Sequence, residues 1–546
     1  MKSPKSAKKL ALGLDLSTQS LSAVLLAIDS AARVYGCSLD YNQDPRLNIY
    51  GIQKKDYIAP PRIEGEADQP PRMFFAAIDA LFDDMQKAGI ALQDIAVIND
   101  SGQQHGHVYL NHKAQSIFAG LNEDSAEKAD LVTNLEGCLA YGLAPIWMTS
   151  NTLEQVEFMR KQVGGKKRMI ELSGSNAPLR FTGSVIRRVA QQFPEVYQET
   201  EVVQLISSLL PAILTANAHV PLDFGNAAGM SLMDYKKTKW SAPLIKAASQ
   251  GLKGGASGFK KKLPPIVSPD TIVGTISRYF VKKYGFSPSC QIVVGSGDNP
   301  QSKVLVAGDL LSLGSSFVNM TSTDGPAVDP SGLANAIYDG IGRPFMFTCR
   351  TNGALVWDQL RARYGIAKED YRTAEAALKD TQVGGNLVFW QPRTESFPPS
   401  GSFDLVRIAG GGDLGKDYAG LIETTLSVMY IYSKHFARVT KEPLYITGGA
   451  TRSQGIVRRI AAIWNRPVIS IENGGAAMGA AVAGVNALYK ADNQDFDVEK
   501  FSFNLVKREV EIKPRTDDVA AFHSPGGFLD KFVVEEAKLI KAHPVD

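Results

Sequence analysis

Cysteine is scarce. Cys37, Cys138, Cys290 and Cys349 stand far apart in 546 residues and form no C-x-x-C pair. This excludes a disulfide framework and a cysteine-based zinc site, and it fits reduced thiols in a cytoplasmic protein. The seven histidines fall into no metal-binding spacing. No apolar run reaches the eighteen or so residues that a membrane-spanning helix needs. Neither sign of charge dominates: 59 basic against 56 acidic residues leave a net charge of +3. A chain this long with so little excess charge has no electrostatic basis for nucleic acid or an anionic membrane as its main partner. The Walker pattern G-x-x-x-x-G-K-[ST] is absent as well. The start carries Lys2, Lys5, Lys8 and Lys9 ahead of an apolar stretch. Asp15 interrupts that stretch, and Ser-Thr-Gln-Ser stands where a small-residue cleavage site belongs. The pattern predicts a mobile basic tail, not a secretory leader.

What is present is an ordinary globular composition, 44% hydrophobic and 21% charged, at a length that predicts two large domains. The stretch Gln291-Ile-Val-Val-Gly-Ser-Gly-Asp-Asn-Pro300 organises the reading. Three β-formers give a buried strand, the glycines stop it, and Asp298 follows at once. A carboxylate on a turn at a strand end faces the crevice in which open α/β sheets bind ligands; the competing reading is a helix cap. Leu10–Asp15 and Leu21–Ile28 read as strands around a polar turn, a hairpin and not a strand-to-helix loop. Asp15 and its hydroxyl neighbours are either a plain polar turn or a holder of a metal-bound phosphate. Leu311–Leu313, Gly314-Ser-Ser316 and Phe317–Met320 repeat that pattern, which suggests a duplicated architecture with one hairpin per domain. Strand Ile95–Ile98 runs into Ser101-Gly-Gln-Gln-His-Gly106, where His105 is placed either to meet a sugar hydroxyl or to serve the fold. Arg180 binds a substrate oxygen or makes a surface ion pair. Trp357 lies in a helical stretch, and Gly448-Gly-Ala450 between a strand and a helix allows close backbone approach to a flat ligand. Residues 38–72 read as a polar, Pro-rich surface excursion, and 251–262 as a solvated loop.

Taken together and in order, these segments resemble the FGGY carbohydrate kinases, and within them the xylulose-phosphorylating branch. The resemblance runs along most of the chain. It is carried by Asp15-Leu-Ser-Thr-Gln19, Ser101–Gly106, Leu179-Arg-Phe-Thr-Gly183, Gly297-Asp-Asn-Pro300, Ser312–Ser316 and Thr447–Ala450. It implies an α/β, two-domain ribonuclease-H-like, actin-like ATPase fold with an interdomain cleft: residues 1–303 for the sugar and the catalytic Asp, 304–546 for the nucleotide. It implies ATP + D-xylulose → ADP + D-xylulose 5-phosphate, with Mg²⁺ as cofactor and a homodimer as a compatible state. Asp298 is then the base. His105, Arg180, Asp298 and Asn299 bind the sugar, and Asp15 holds Mg²⁺ through water. Ser17, Thr18, Gln19, Gly314, Ser315, Ser316, Trp357, Gly448, Gly449, Ala450 and Ser453 bind ATP. The chain departs from the family pattern at Thr149, where an acid is usual, at Ser315, and at Ser453, where an Asn is expected. Ribulose or glycerol as acceptor, an actin-like ATPase without a sugar pocket, and a silent regulatory relative are the alternatives.

Overall fold

The computed structural model describes residues 9–472 and 474–545; the basic start expected as a tail, up to Lys8, lies outside the described residues. Two compact units are present. The first comprises the described residues of Met1–Leu305, Ala336–Pro344 and Gly474–Leu505; the second, those of Val306–Asn335, Phe345–Asn473 and Val506–Asp546.

In the first unit, β1 (Leu10–Leu16), β2 (Ser20–Ala27), β3 (Ala32–Asp40), β4 (Ile95–Gly102), β5 (Ile272–Thr275) and β6 (Gln291–Val293) form a sheet in the order β5-β6-β4-β1-β2-β3. The β1/β2 hairpin is antiparallel with Leu16 opposite Leu21, as its polar turn predicts. β4 runs parallel to β1 and to β6. β1 is apolar on both faces, the mark of a strand covered on both sides. Helix α1 (Pro71–Lys87) buries Phe74, Phe75, Ile78, Leu81, Phe82 and Met85 at helical spacing. The small-residue helix Gly475–Ala491 packs at the Gly13 face of β1. A Cβ on Gly13 would lie 1.9 Å from the Ala477 carbonyl oxygen, and one on Gly479 would lie 1.8 Å from that of Gln301. Only bare backbone admits that approach.

In the second unit, β7 (Leu310–Leu313), β8 (Phe317–Ser322), β9 (Pro344–Arg350), β10 (Leu444–Thr447) and β11 (Val468–Ser470) follow the order β9-β8-β7-β10-β11. The β7/β8 hairpin pairs Leu313 with Phe317, and β10 runs parallel to β7 with Thr447 beside Ser312. The hairpin-plus-parallel-strand pattern of the first unit thus recurs.

Two sequence expectations are corrected. Residues 38–72 are not merely a surface excursion: Tyr41 and Leu47 are fully buried, and Asp68–Gln69 pairs with Ala144–Pro145. A two-residue strand is too short to leave a periodic signal. Residues 251–262 are not a plain solvated loop either, because Gly255–Lys261 is a helix anchored by buried Phe259. A single aromatic anchor outweighs the glycine-rich composition around it.

Candidate functional site

In the first unit, three strand ends come to one level. β4 is flanked by β1 and by the pair Ser296–Gly297. Asp15 and Ser296 are both level with Ser101, and Leu16 and Gly297 are both level with Gly102. Two inter-strand steps, roughly 10 Å, therefore separate β1 from the Gly297 turn. Asp298 opens helix α2 (Asp298–Val304) directly after it. Gly297 is needed for close approach, since a Cβ there would lie 2.1 Å from Gln104 Oε1, a buried oxygen with no hydrogen-bond partner.

The charges at this level perturb one another. Burial pushes the Asp298 carboxyl up to about 7, and the negative charge of Asp15 adds to the effect. The backbone N–H and side-chain Nδ2–H of Asn299 donate to Asp298 Oδ1 at 2.8 and 2.9 Å. Burial also raises Asp15, whose Oδ1 is buried without a partner. Behind them, burial raises Asp100 well above the usual carboxylate range, with Asp15 and Asp223 contributing. Asp223 is pushed up to about 6 by burial, although it accepts from the amides of Gly225 and Asn226 and from Ser296 Oγ at 2.7 Å. Buried carboxyls this close share protons more readily than they all ionise.

His105 sits at φ +70°, a left-handed conformation uncommon for a side-chain-bearing residue. Thr182 Oγ1 holds its carbonyl at 3.0 Å, and its ring stacks on Phe181 with centroids 4.4 Å apart. Its Nδ1 lies 2.8 Å from the Gly229 carbonyl oxygen, which can only accept. Nδ1 therefore carries the proton and Nε2 is left as an acceptor. Burial lowers the ring to about 3, and the neighbouring Arg180 charge lowers it further, so His105 is neutral at physiological pH. Arg180 and His105 are thus brought together, with Gln104 linking His105 to the Gly297 turn.

At the β1/β2 tip, Ser17 Oγ donates to Ser20 O at 2.8 Å, and Gln19 points into solvent. Thr18 Oγ1 accepts from Trp147 Nε1 at 2.8 Å and lies 3.4 Å from Gln103 Oε1. Gln69 ties this turn down: its Nε2 donates to Thr18 O at 2.8 Å, and its Oε1 accepts from Gln103 Nε2 at 2.7 Å. Thr149 is buried and donates to Ala67 O at 3.2 Å, so its hydroxyl serves the backbone. Sequence reasoning did not single out Gln69, Trp147, Asp100 or Asp223. Each acts through contacts with segments distant in sequence.

The second unit holds a cavity of about 330 Å³, whose walls include Gly314, Ser315, Trp357, Gly449, Ala450 and Ser453. Helices α3 (Ala354–Arg363), α4 (Tyr371–Asp380) and α5 (Leu414–Ser433) supply much of the rest, together with the start of α6 (Gln454–Trp464). Ser316 and Gly448 stand in the turns beside the lining residues. Gly448, at φ +105°, brings its turn so close to β7 that a Cβ would lie 2.4 Å from the Leu313 carbonyl oxygen. Trp357 is buried, edge-on to Phe317 at 5.0 Å, with Nε1 3.5 Å from Thr425 Oγ1, so it is a fixed wall. Ser453 caps α6: its Oγ accepts from Ile456 N–H at 3.1 Å and donates to the Glu375 carboxylate, which also accepts from Gly455 N–H at 2.8 Å.

The repeated hairpin-and-parallel-strand units define an actin-like ATPase fold. A ligand-bound xylulose kinase structure from Lactobacillus acidophilus shares it with a TM-score of 0.77 at 18% identity, covering 97% of this chain and 98% of that one. Residues 142–304 match the model of the N-terminal domain of the FGGY family of carbohydrate kinases. Xylulose kinase 2 of Arabidopsis thaliana is 30% identical over 86% of this chain and 86% of its own length, and the xylulose kinase of Schizosaccharomyces pombe is 29% identical over 90% and 91%. The chain belongs to the FGGY family of carbohydrate kinases, enzymes that transfer a phosphoryl group to an alcohol.

Proposed function

We propose that the protein is a cytoplasmic ATP-dependent kinase of D-xylulose that forms D-xylulose 5-phosphate, with the first unit taking the sugar and the second the nucleotide. The observation that carries this reading is Asp298: a carboxylate on a strand-end turn, oriented by Asn299 and with a proton affinity raised to about 7. A general base works best when its pKa lies near the operating pH. Asp298 Oδ2 takes the proton of the sugar O5 hydroxyl as O5 bonds to the γ-phosphorus and the bond from phosphorus to the ADP oxygen breaks. His105 Nε2 accepts from a second sugar hydroxyl, and Arg180 donates to a sugar oxygen; Asn299 binds the sugar as well as steadying Asp298. Ser17, Thr18 and Gln19 serve the phosphates from the first hairpin. Gly314, Ser315 and Ser316 face the β- and γ-phosphates, and Gly448, Gly449, Ala450, Ser453 and Trp357 hold the adenosine.

The buried, partnerless Asp15 Oδ1 fits an outer-sphere contact to a hydrated cation. Among the described residues no cluster of three or more His, Cys, Asp or Glu is built to hold a metal, which accords with Mg²⁺ arriving on the nucleotide. Bound there, Mg²⁺ would neutralise charge on the phosphates. Support for D-xylulose comes from the names of the curated relatives and from the Gln103-Gln104-His105 loop. Thr149, whose hydroxyl is committed to Ala67, is the observation that favours another ketose or polyol such as ribulose or glycerol. A coupled ADP-release assay over D-xylulose, D-ribulose and glycerol tests the reading. Saturable release with D-xylulose at the highest kcat/KM is expected; release independent of any sugar would end it.

A further inference from the structure

Helix α3 measures out the second-unit cavity from end to end. Its first turn is bonded to the Gly314–Ser315 turn, with Ala354 N–H donating to Gly314 O at 3.1 Å and Leu355 N–H lying 3.4 Å from Ser315 O. Ala354, Trp357, Asp358 and Arg361 then line the cavity along one helical face. Arg361 lies two turns, about 10 Å, beyond Ala354. A nucleotide with its phosphates at Gly314 and Ser315 puts its base, not its phosphates, at Arg361.

Arg361 is built for a ligand. Its side chain is 3% exposed. Nη2 donates to Asp358 Oδ1 at 2.7 Å and to Lys368 O at 3.1 Å, which fixes the guanidinium plane. Nε and Nη1 are buried and have no hydrogen-bond partner. An acceptor brought in by a ligand would recover hydration that these two donors have lost. The guanidinium carbon lies over one face of the Tyr371 ring, 5.3 Å from its centroid, and Tyr371, which also lines the cavity, is 58% exposed. An aromatic face next to unused donors suits a flat heterocycle.

We infer that Arg361 is a base-reading specificity residue: it donates to acceptor atoms on the edge of a purine, with Tyr371 offering a stacking face. This rests on the nucleotide reading of the cavity given above. A guanidinium has donors only. It therefore recognises ring nitrogens and a 6-oxo oxygen and makes no demand for the exocyclic amino group of adenine, so adenosine and inosine triphosphates are both ligands. Loss of Arg361 removes base recognition and leaves phosphate and ribose contacts in place.

Calorimetric titration of the full chain with ATP, ITP and ribose 5-triphosphate, which lacks a base, provides the test. Arg361→Met is expected to weaken ATP and ITP about tenfold and ribose 5-triphosphate by less than about twofold. Arg361→Lys, which keeps a cation beside Asp358, is expected to fall between wild type and Arg361→Met, and it decides the matter if thermal unfolding shows that Arg361→Met is not folded. Equal weakening of all three ligands, or ATP affinity in both variants within about twofold of wild type, overturns the inference while the nucleotide site stands. Wild type that binds none of the three ends the nucleotide reading and the inference with it.

Discussion

Two hairpins of the same design meet opposite environments. In the first unit, the β1/β2 turn and the adjoining strand ends are crowded with polar groups that restrain one another. Burial raises the proton affinity of Asp15, Asp100, Asp223 and Asp298, the charge of Asp15 adds to it at Asp100 and Asp298, and Gln69, Gln103, Thr18 and Trp147 are linked by hydrogen bonds. In the second unit, the matching β7/β8 turn borders an open cavity of about 330 Å³, walled by glycine backbone, by apolar side chains such as Leu378 and Ile456, and by charged ones such as Asp358, Arg361 and Glu375. A single supersecondary unit thus borders a cluster of buried carboxyls at one copy and an open cavity at the other. Substitutions at the first are expected to act on chemistry and pH dependence, and those at the second on binding and local stability.

The sharpest break of this contrast is Asp298→Asn. It is expected to cut kcat by about 10² to 10⁴ and leave the calorimetric Kd for ATP unchanged; a near-native rate would remove Asp298 from its role. Next comes Gly448→Ala, whose Cβ meets the Leu313 carbonyl oxygen at 2.4 Å in a left-handed conformation. Nucleotide affinity should fall about tenfold or more, and thermal unfolding should show a loss of about 1–3 kcal/mol. Gly449→Ala, with nothing within 4 Å of its Cβ, should cost no more than about 0.5 kcal/mol. Equal losses at the two positions would mean that close approach to β7 does not matter.

The pH dependence sharpens the comparison. Asp298 has its carboxyl raised to about 7, so below that pH it holds a proton and cannot act as a base. kcat/KM for the sugar should rise about tenfold per pH unit below the midpoint and level off above it. Asp15→Asn removes the like charge, eases ionisation of Asp298 and should move the midpoint of the residual activity to lower pH. An unmoved midpoint would detach the two carboxylates. His105→Asn tolerates φ +70° but presents a different edge to the sugar: KM for the sugar is expected to rise about tenfold while KM for ATP is unchanged. A change confined to ATP would relocate His105 to the wrong ligand.

Local rules carried the hairpins and the strand-turn-carboxylate at Asp298, because each depends on neighbours within a few residues. They also exposed His105, Arg180 and the glycine turns as candidates. The same rules were blind to Gln69, which reaches Thr18 across 51 positions, and to Asp100, whose meaning comes from carboxylates on other segments. They misjudged residues 38–72 and 251–262, where buried anchors such as Tyr41 and Phe259 outweigh a polar or glycine-rich composition.

The residue order set the fold class, the two hairpins with hydroxyl-bearing tips and the chemical character of each turn, since backbone torsions and short-range periodicity are encoded locally. Only packing brought the helix Gly475–Ala491 back against β1, lifted the proton affinity of Asp298 by burying it beside Asp15, and left two donors of Arg361 without acceptors. Burial, desolvation and the approach of distant backbone are properties of the folded molecule, and no local pattern encodes them.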